Sequence, residues 1–216
     1  MKTLLAIAVI SISAACTMNA SGKVGEQGGA TAAGAESAAG LGAAPLFTLT
    51  SADGKTVNLA DFKGKYVVLE WWNHECPFVV KHYGAGNMQK LQKEFTEKGV
   101  IWLTINSSAP GKQGHVNGEQ AISLMKEKKA APTHVLLDHD GKVGKMYDAK
   151  TTPQMILISP EGVILSDGAI DSIRSSNPAD IEKAENYLVK AFAEASSGKP
   201  VSTPKTQPYG CSVKYP

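Results

Sequence analysis

The chain has 216 residues, with 22 Lys and Arg against 20 Asp and Glu, a formal net charge of +2, and 43 % hydrophobic residues. That balance fits a soluble globular protein; it excludes a polyelectrolyte and supplies no concentrated basic face, so nucleic acid is not expected as a partner. The three cysteines, Cys16, Cys76 and Cys211, are too few for a disulfide-built miniprotein or a four-thiolate zinc site.

The chain opens on Met1-Lys2 and an apolar run from Leu4 to Ala15. The run is too short to span a bilayer, which takes about 20 residues, and suits the apolar core of a secretory signal over residues 1–15. It ends in Ser13-Ala14-Ala15-Cys16, which resembles the lipobox of bacterial lipoproteins, with Ser13 where a Leu is usual. Acylation of Cys16 would anchor the protein to a membrane; simple signal cleavage is the alternative. Both place the protein outside the cytoplasm, in the periplasm or cell envelope, where thiols can be oxidised. Residues 16–44 are Gly, Ala, Ser and polar residues without apolar period, a flexible tether. One ordinary domain over 45–195 and a tail over 196–216 remain.

Within the domain, strands alternate with helices. Pro45–Thr50 and Thr56–Leu59 alternate apolar and polar residues around Asp53-Gly54, predicting a β-hairpin. A turn over 59–65 leads into Tyr66–Trp72, an apolar run suited to a strand covered on both faces. Met88, Leu91 and Phe95 have helical spacing behind Asn87 as a cap, and Val100–Ile105 reads as a second buried strand. A helix is expected over Glu119–Lys129, with Asn117 and Gln120 at capping-box spacing. His134–Asp138 is a third strand. Gln154–Ile158 and Gly162–Leu165 form a terminal hairpin, and a last helix is expected from Asn177-Pro178 to about Ala195. The pattern predicts α/β architecture, a central mixed sheet flanked by helices with an N-terminal β-hairpin.

Cys76 falls where the strand ending in Trp71-Trp72-Asn73 hands over to a helix. Pro77 suits the first helical position, which makes Cys76 the cap. A cysteine there meets free backbone N–H groups and the positive end of the helix dipole, and both favour the thiolate. The thiolate is the nucleophile in disulfide exchange and peroxide reduction. The bland reading is a buried, inert cysteine packed as a small hydrophobe.

An aromatic-rich strand end followed by Cys-Pro at a helix start resembles the thioredoxin-like redoxins. That group includes membrane-tethered thiol–disulfide oxidoreductases and the alkyl hydroperoxide reductase/thiol-specific antioxidant family. The opening Pro45-Leu46-Phe47-Thr48-Leu49, the segment Leu59–Lys65, and Thr151-Thr152-Pro153 before a strand, which is similar to the thioredoxin cis-proline loop, carry the same resemblance over about 45–195. It implies a thioredoxin-like fold, catalysis by Cys76 with Pro153 shaping the cleft, and a pocket formed by Trp72, Asn73, Pro77 and Thr152. It also implies a redox partner protein or a peroxide as reactant, and no cofactor.

The pattern also departs from both active-site signatures. Thioredoxins carry Cys-x-x-Cys, and Val79 stands at the second position here. Peroxiredoxins carry Thr or Ser three residues before the reactive cysteine and Pro four before that; here these are Asn73 and Leu69. Cys211, in a proline-rich tail ending Tyr209-Gly210-Cys211-Ser212-Val213-Lys214-Tyr215-Pro216, is the candidate resolving thiol. A permanent Cys76–Cys211 staple and a free or intermolecular thiol are the alternatives.

The expected function is therefore an exported thiol oxidoreductase acting on a disulfide or a peroxide. The rival is a non-catalytic lipoprotein of the same fold that binds a partner protein, or copper through His74, Cys76 and His82; that spacing is a weak metal signal. His115, His134 and His139 read as surface or strand-end histidines, and Gly111–Gly114 as a loop near the active face.

Overall fold

The computed structural model describes residues 40–216. The expected signal, the Cys16 anchor and all but the last residues of the tether lie outside the described residues. In chain order, the strands are β1 (Thr48–Ser51), β2 (Thr56–Asn58) and β3 (Val67–Trp71), followed by helices α1 (Pro77–Gly84) and α2 (Asn87–Glu97). Then come β4 (Ile101–Asn106), α3 (Gly118–Glu127), β5 (His134–Leu137) and α4 (Lys142–Met146). The chain closes with β6 (Thr151–Thr152), β7 (Gln154–Ile158), β8 (Ile164–Gly168), α5 (Tyr187–Ser196) and β9 (Cys211–Ser212).

Seven strands form one mixed sheet in the order β2-β1-β5-β4-β3-β7-β8. The pairs β3–β4 and β4–β5 are parallel, whereas β3–β7, β7–β8, β1–β5 and β1–β2 are antiparallel. Successive side chains of a strand point to opposite faces, so a continuous apolar run needs cover on both. That cover is present. Val67, Leu69 and Trp71 enter one core with Ile101, Leu103 and Ile105 of β4 and with Tyr147 beside α4. Val68 and Trp72 enter the other, with Val79, Met88, Phe95, Trp102 and Phe192 beneath α1, α2 and α5.

Glu70 is the one charge inside this run and is fully buried. Burial pushes its carboxyl up, while four donors oppose that shift. Trp102 Nε1 and Thr104 Oγ1 donate at 2.8 Å, Tyr83 Oη at 2.9 Å and Gln92 Nε2 at 3.2 Å. The carboxylate thus ties β3 to β4, α1 and α2, as a buried charge must be hydrogen-bonded to be tolerated.

Several boundaries differ from the sequence expectation. Gly40–Ala44 is not free tether: Leu41 N donates to Ile164 O at 2.7 Å, Ile164 N to Gly42 O at 2.8 Å, and Ala44 N to Gly162 O at 2.8 Å. Backbone pairing of this kind needs no apolar period, so composition does not reveal it. Asn87 is the first residue of α2 rather than its cap, which is Gly86 in the left-handed region at φ 73°. The last helix is broken. Asn177 caps a short 3-10 turn over Pro178–Asp180, and Asn186 caps α5 anew. Ser172 N donates to Glu185 O at 3.0 Å and Tyr187 N to Ile170 O at 3.0 Å, which draws the intervening chain out of helical register. The capping box of Asn117 and Gln120 forms as expected, and α4 is an element that apolar spacing does not predict.

His82 on α1 is wholly buried, with Asn87 Nδ2 2.8 Å from its Nδ1. Burial holds its imidazole down at about 4, against the pull of Asp171 and with the push of Lys81. The folded pKa lies below the unfolded value of about 6.5, so between pH 6.5 and 4 the unfolded chain binds a proton that the folded one refuses. Stability therefore falls as pH falls through that window, by up to about 3 kcal/mol from this group. Denaturant unfolding of the protein and of His82→Gln should show the variant losing about that much less between pH 7 and pH 4. Equal losses would contradict it.

Candidate active site

Cys76 closes the loop between β3 and α1. Its backbone is extended (φ −75°, ψ 122°), Pro77 follows at the first helical position, and its carbonyl accepts from Val79 N at 2.9 Å and Val80 N at 2.8 Å. The sulfur is fully buried and its thiol donates to Thr152 O at 3.0 Å. The Thr152–Pro153 peptide is cis, and both residues are buried.

Cys211 reaches this point from the far end of the chain. Thr152 pairs with Cys211, and Thr151 with Ser212, in the two-residue antiparallel ribbon of β6 and β9. The tail is docked along its length. Asp167 N donates to Pro204 O at 2.9 Å and Ala169 N to Thr206 Oγ1 at 2.9 Å. Val213 N donates to Lys150 O at 3.0 Å, and Ala109 N to Lys214 O at 2.9 Å. Tyr215 Oη donates to Ala149 O at 2.7 Å, its ring seated over Gly144, where a Cβ would fall 2.4 Å from that hydroxyl oxygen.

The two thiols are electrostatically unequal. Burial raises the Cys76 thiol, but the neighbouring Cys211 and Thr152 side chains, and the Cys211 and Val79 backbone, outweigh it and bring it below the ordinary value. The Thr152 hydroxyl is buried and has no hydrogen-bond partner, so it is free to serve a thiolate. Burial, and then the neighbouring Cys76, push Cys211 up to about 11. Cys76 is thus the sulfur favoured to ionise and Cys211 the one favoured to stay protonated.

The structure brings together Cys76, Cys211, Thr152 and Pro153 among the expected site residues, with Pro77 exposed at the start of α1. Trp72 is buried in the core and walls a cleft with His74, Val79, Val80 and Tyr83. Asn73 does not open on the sulfur. Its Oδ1 accepts from Glu75 N at 2.9 Å and its Nδ2 donates to Gln113 O at 3.3 Å, fixing the 111–114 loop to the end of β3. Glu75 Oε2 holds the same loop through Gly114 N at 2.8 Å.

The copper set His74, Cys76 and His82 is not assembled. His82 faces Asn87 and Asp171, His74 packs against Trp72 with centroids 5.7 Å apart, and no metal-holding group of three or more His, Cys, Asp or Glu occurs among the described residues. The His115 and His139 rings lie with centroids 4.4 Å apart, tilted by 58°, each with a ring nitrogen on a backbone carbonyl. Sequence reasoning assigns no role to Glu70 or Asp171, although a lone charge inside an apolar strand is a signal for the first; Lys81, expected to add positive field at Cys76, is instead paired with Asp171 at 3.3 Å.

A mixed sheet with a cysteine capping its first long helix, facing a cis-proline loop, defines the thioredoxin-like class. The chain belongs to the AhpC/TSA family, whose model matches residues 42–166. That match stops short of the tail that carries Cys211. Among curated proteins, the thiol-disulfide oxidoreductase ResA of Bacillus subtilis is 32% identical over 135 residues, 62% of this chain and 69% of the relative. The protein of that name from Bacillus cereus is 27% identical over 147 residues, 68% of this chain and 75% of its own length. Among solved structures, an uncharacterized conserved protein from Geobacillus kaustophilus superposes with a TM-score of 0.69 at 29% identity, covering 81% of this chain and 90% of the other. A putative thioredoxin from Neisseria meningitidis, at 22% identity and a TM-score of 0.51, covers 72% of this chain and 93% of its own, and shares the fold.

Alkylation of the reduced protein with iodoacetamide across pH, read peptide by peptide, should give Cys76 a midpoint below the ordinary thiol value and Cys211 one near 11. Cys211→Ala, which deletes the neighbouring thiol, should move the Cys76 midpoint upward. Ionisation of Cys211 before Cys76 would contradict the asymmetry.

Proposed function

We propose that the protein is a thiol–disulfide oxidoreductase in which Cys76 attacks and Cys211 resolves. The observation that carries this reading is the shared residue Thr152, whose carbonyl meets Cys76 Sγ at 3.0 Å while its backbone pairs with Cys211. The Cys76 thiolate attacks one sulfur of a substrate disulfide, forming a mixed disulfide and releasing the first substrate thiolate. Cys211 then loses its proton and attacks Cys76 Sγ, which forms the Cys76–Cys211 bond and releases the second. Two electrons pass from the two protein thiols to the substrate. Pro153, joined to Thr152 by a cis peptide, has no backbone N–H to donate at this loop.

The names of the curated relatives support this choice of substrate class. The peroxide version is the weaker one: Asn73 and Leu69 stand where peroxiredoxins carry Thr or Ser and Pro, and the Asn73 amide is engaged by Gln113 and Glu75. Export by residues 1–15, a lipid anchor at Cys16 and a redox partner protein in the cell envelope complete the proposal, and they rest on the sequence.

Glutathione disulfide and mass spectrometry test the order of attack. The reduced protein should end as the Cys76–Cys211 disulfide with two glutathiones released. Cys211→Ser should stop as a glutathione adduct on Cys76, and Cys76→Ser should neither carry that adduct nor form the internal bond. An adduct that accumulates on Cys211 with Cys76 intact would reverse the assignment and contradict it.

A further inference from the structure

Behind the two thiols lies a buried charged cluster that the exchange steps do not use. Lys81 and Asp171 have side chains 0% and 4% exposed, and Lys81 Nζ lies 3.3 Å from Asp171 Oδ2. His82 Nε2 lies 3.6 Å from the same oxygen. The other carboxylate oxygen, Oδ1, accepts from Ile173 N at 3.1 Å and from the Tyr209 hydroxyl. Tyr209 is itself buried, its ring edge-on to Phe78 at 5.7 Å and 6.0 Å from Lys81 Nζ.

Two features connect this cluster with the thiols. Phe78 and Lys81 belong to α1, the helix that Cys76 caps. Tyr209 stands two residues before Cys211, and the residue between them is Gly210 at φ +142°, where a Cβ would fall 2.0 Å from Thr152 O. Tyr209, Gly210 and Cys211 are therefore an anchor, a clearance and a thiol in immediate succession. A buried ion pair is tolerated only when its remaining valences are hydrogen-bonded, and the tail hydroxyl fills one of them.

The geometry points to Tyr209, held by Asp171 and Lys81, as a positioning latch that keeps Cys211 over Cys76 and so controls the entry of outside reagents to Cys76. Cys76 is fully buried with the tail in place, and the cleft walled by Trp72, His74 and Val79 is not lined by it. An outside disulfide then reaches the sulfur only when the tail lifts, and the rate of attack scales with the open population. Loss of a hydrogen bond to a charged group raises that population by about tenfold or more. The inference deepens the exchange reading by naming what places the resolving thiol, but its readout needs no turnover.

The test is the rate of iodoacetamide alkylation of Cys76 at one fixed pH, resolved by peptide, in the reduced full-length protein and in Tyr209→Phe. Phenylalanine keeps the ring against Phe78 and removes the hydroxyl. The rate should rise about tenfold or more, with the global unfolding constant, measured on the same samples, rising by much less. Gly210→Ala, which clashes with the Thr152 backbone rather than touching Asp171, should also speed alkylation. Parent-like alkylation in Tyr209→Phe would overturn the latch, and so would a rise no larger than that of the unfolding constant. A parent protein that fails to react with glutathione disulfide would instead sink the exchange reading, and the alkylation comparison would still decide the latch.

Discussion

Thr152 offers its carbonyl to the Cys76 thiol and its backbone to Cys211 at the same time. The chemistry of the site depends on that double engagement. A two-residue ribbon is a weak element by itself, since isolated hairpins are marginal in water. It holds because both partners are tied down elsewhere. β6 runs directly through Pro153 into the central strand β7, and β9 lies between Tyr209, buried beside α1, and Tyr215, seated over α4.

This arrangement places the second sulfur where a local Cys-x-x-Cys would otherwise supply it. With Val79 buried in the core at the second position, α1 carries a single thiol. The partner arrives by tertiary structure. The unequal environments then assign roles: one thiol pulled down by its neighbours, the other pushed up to about 11 by burial and by Cys76. A resolving thiol that remains protonated until a mixed disulfide forms does not compete as the first nucleophile. Oxidation would also close a loop of more than a hundred residues, which in the chain-entropy model stabilises the fold by about 5 kcal/mol.

Much of this was legible in the residues. The apolar run of β3, the Cys76-Pro77 helix start, the Asn117–Gln120 capping box and Thr152-Pro153 are local patterns with local causes, and each appears where expected. What was not legible is tertiary in origin. The two tyrosines and the valine around Cys211 mark the tail as able to dock, but its prolines show no period, so its path and the hydrogen bonds it makes to residues far away in sequence were not legible. The pairing of Gly40–Ala44 with 162–164 needs only backbone, so its composition still reads as tether. The final helix breaks because residues 170–172 compete for the backbone of 185–187, which apolar spacing at Ile181 and Ala184 does not report. Lys81 and Asp171 are ordinary surface residue types until the fold buries them against Tyr209.

The central claim is that Cys76 and Cys211 form one redox couple within a single chain. Non-reducing peptide mapping of the mature protein, before and after mild oxidation, tests it most directly. The account predicts a Cys76–Cys211 linked peptide that appears on oxidation, disappears on reduction and is formed by the monomer. Full oxidation that leaves both thiols in unlinked peptides, or links them only between chains, would contradict it.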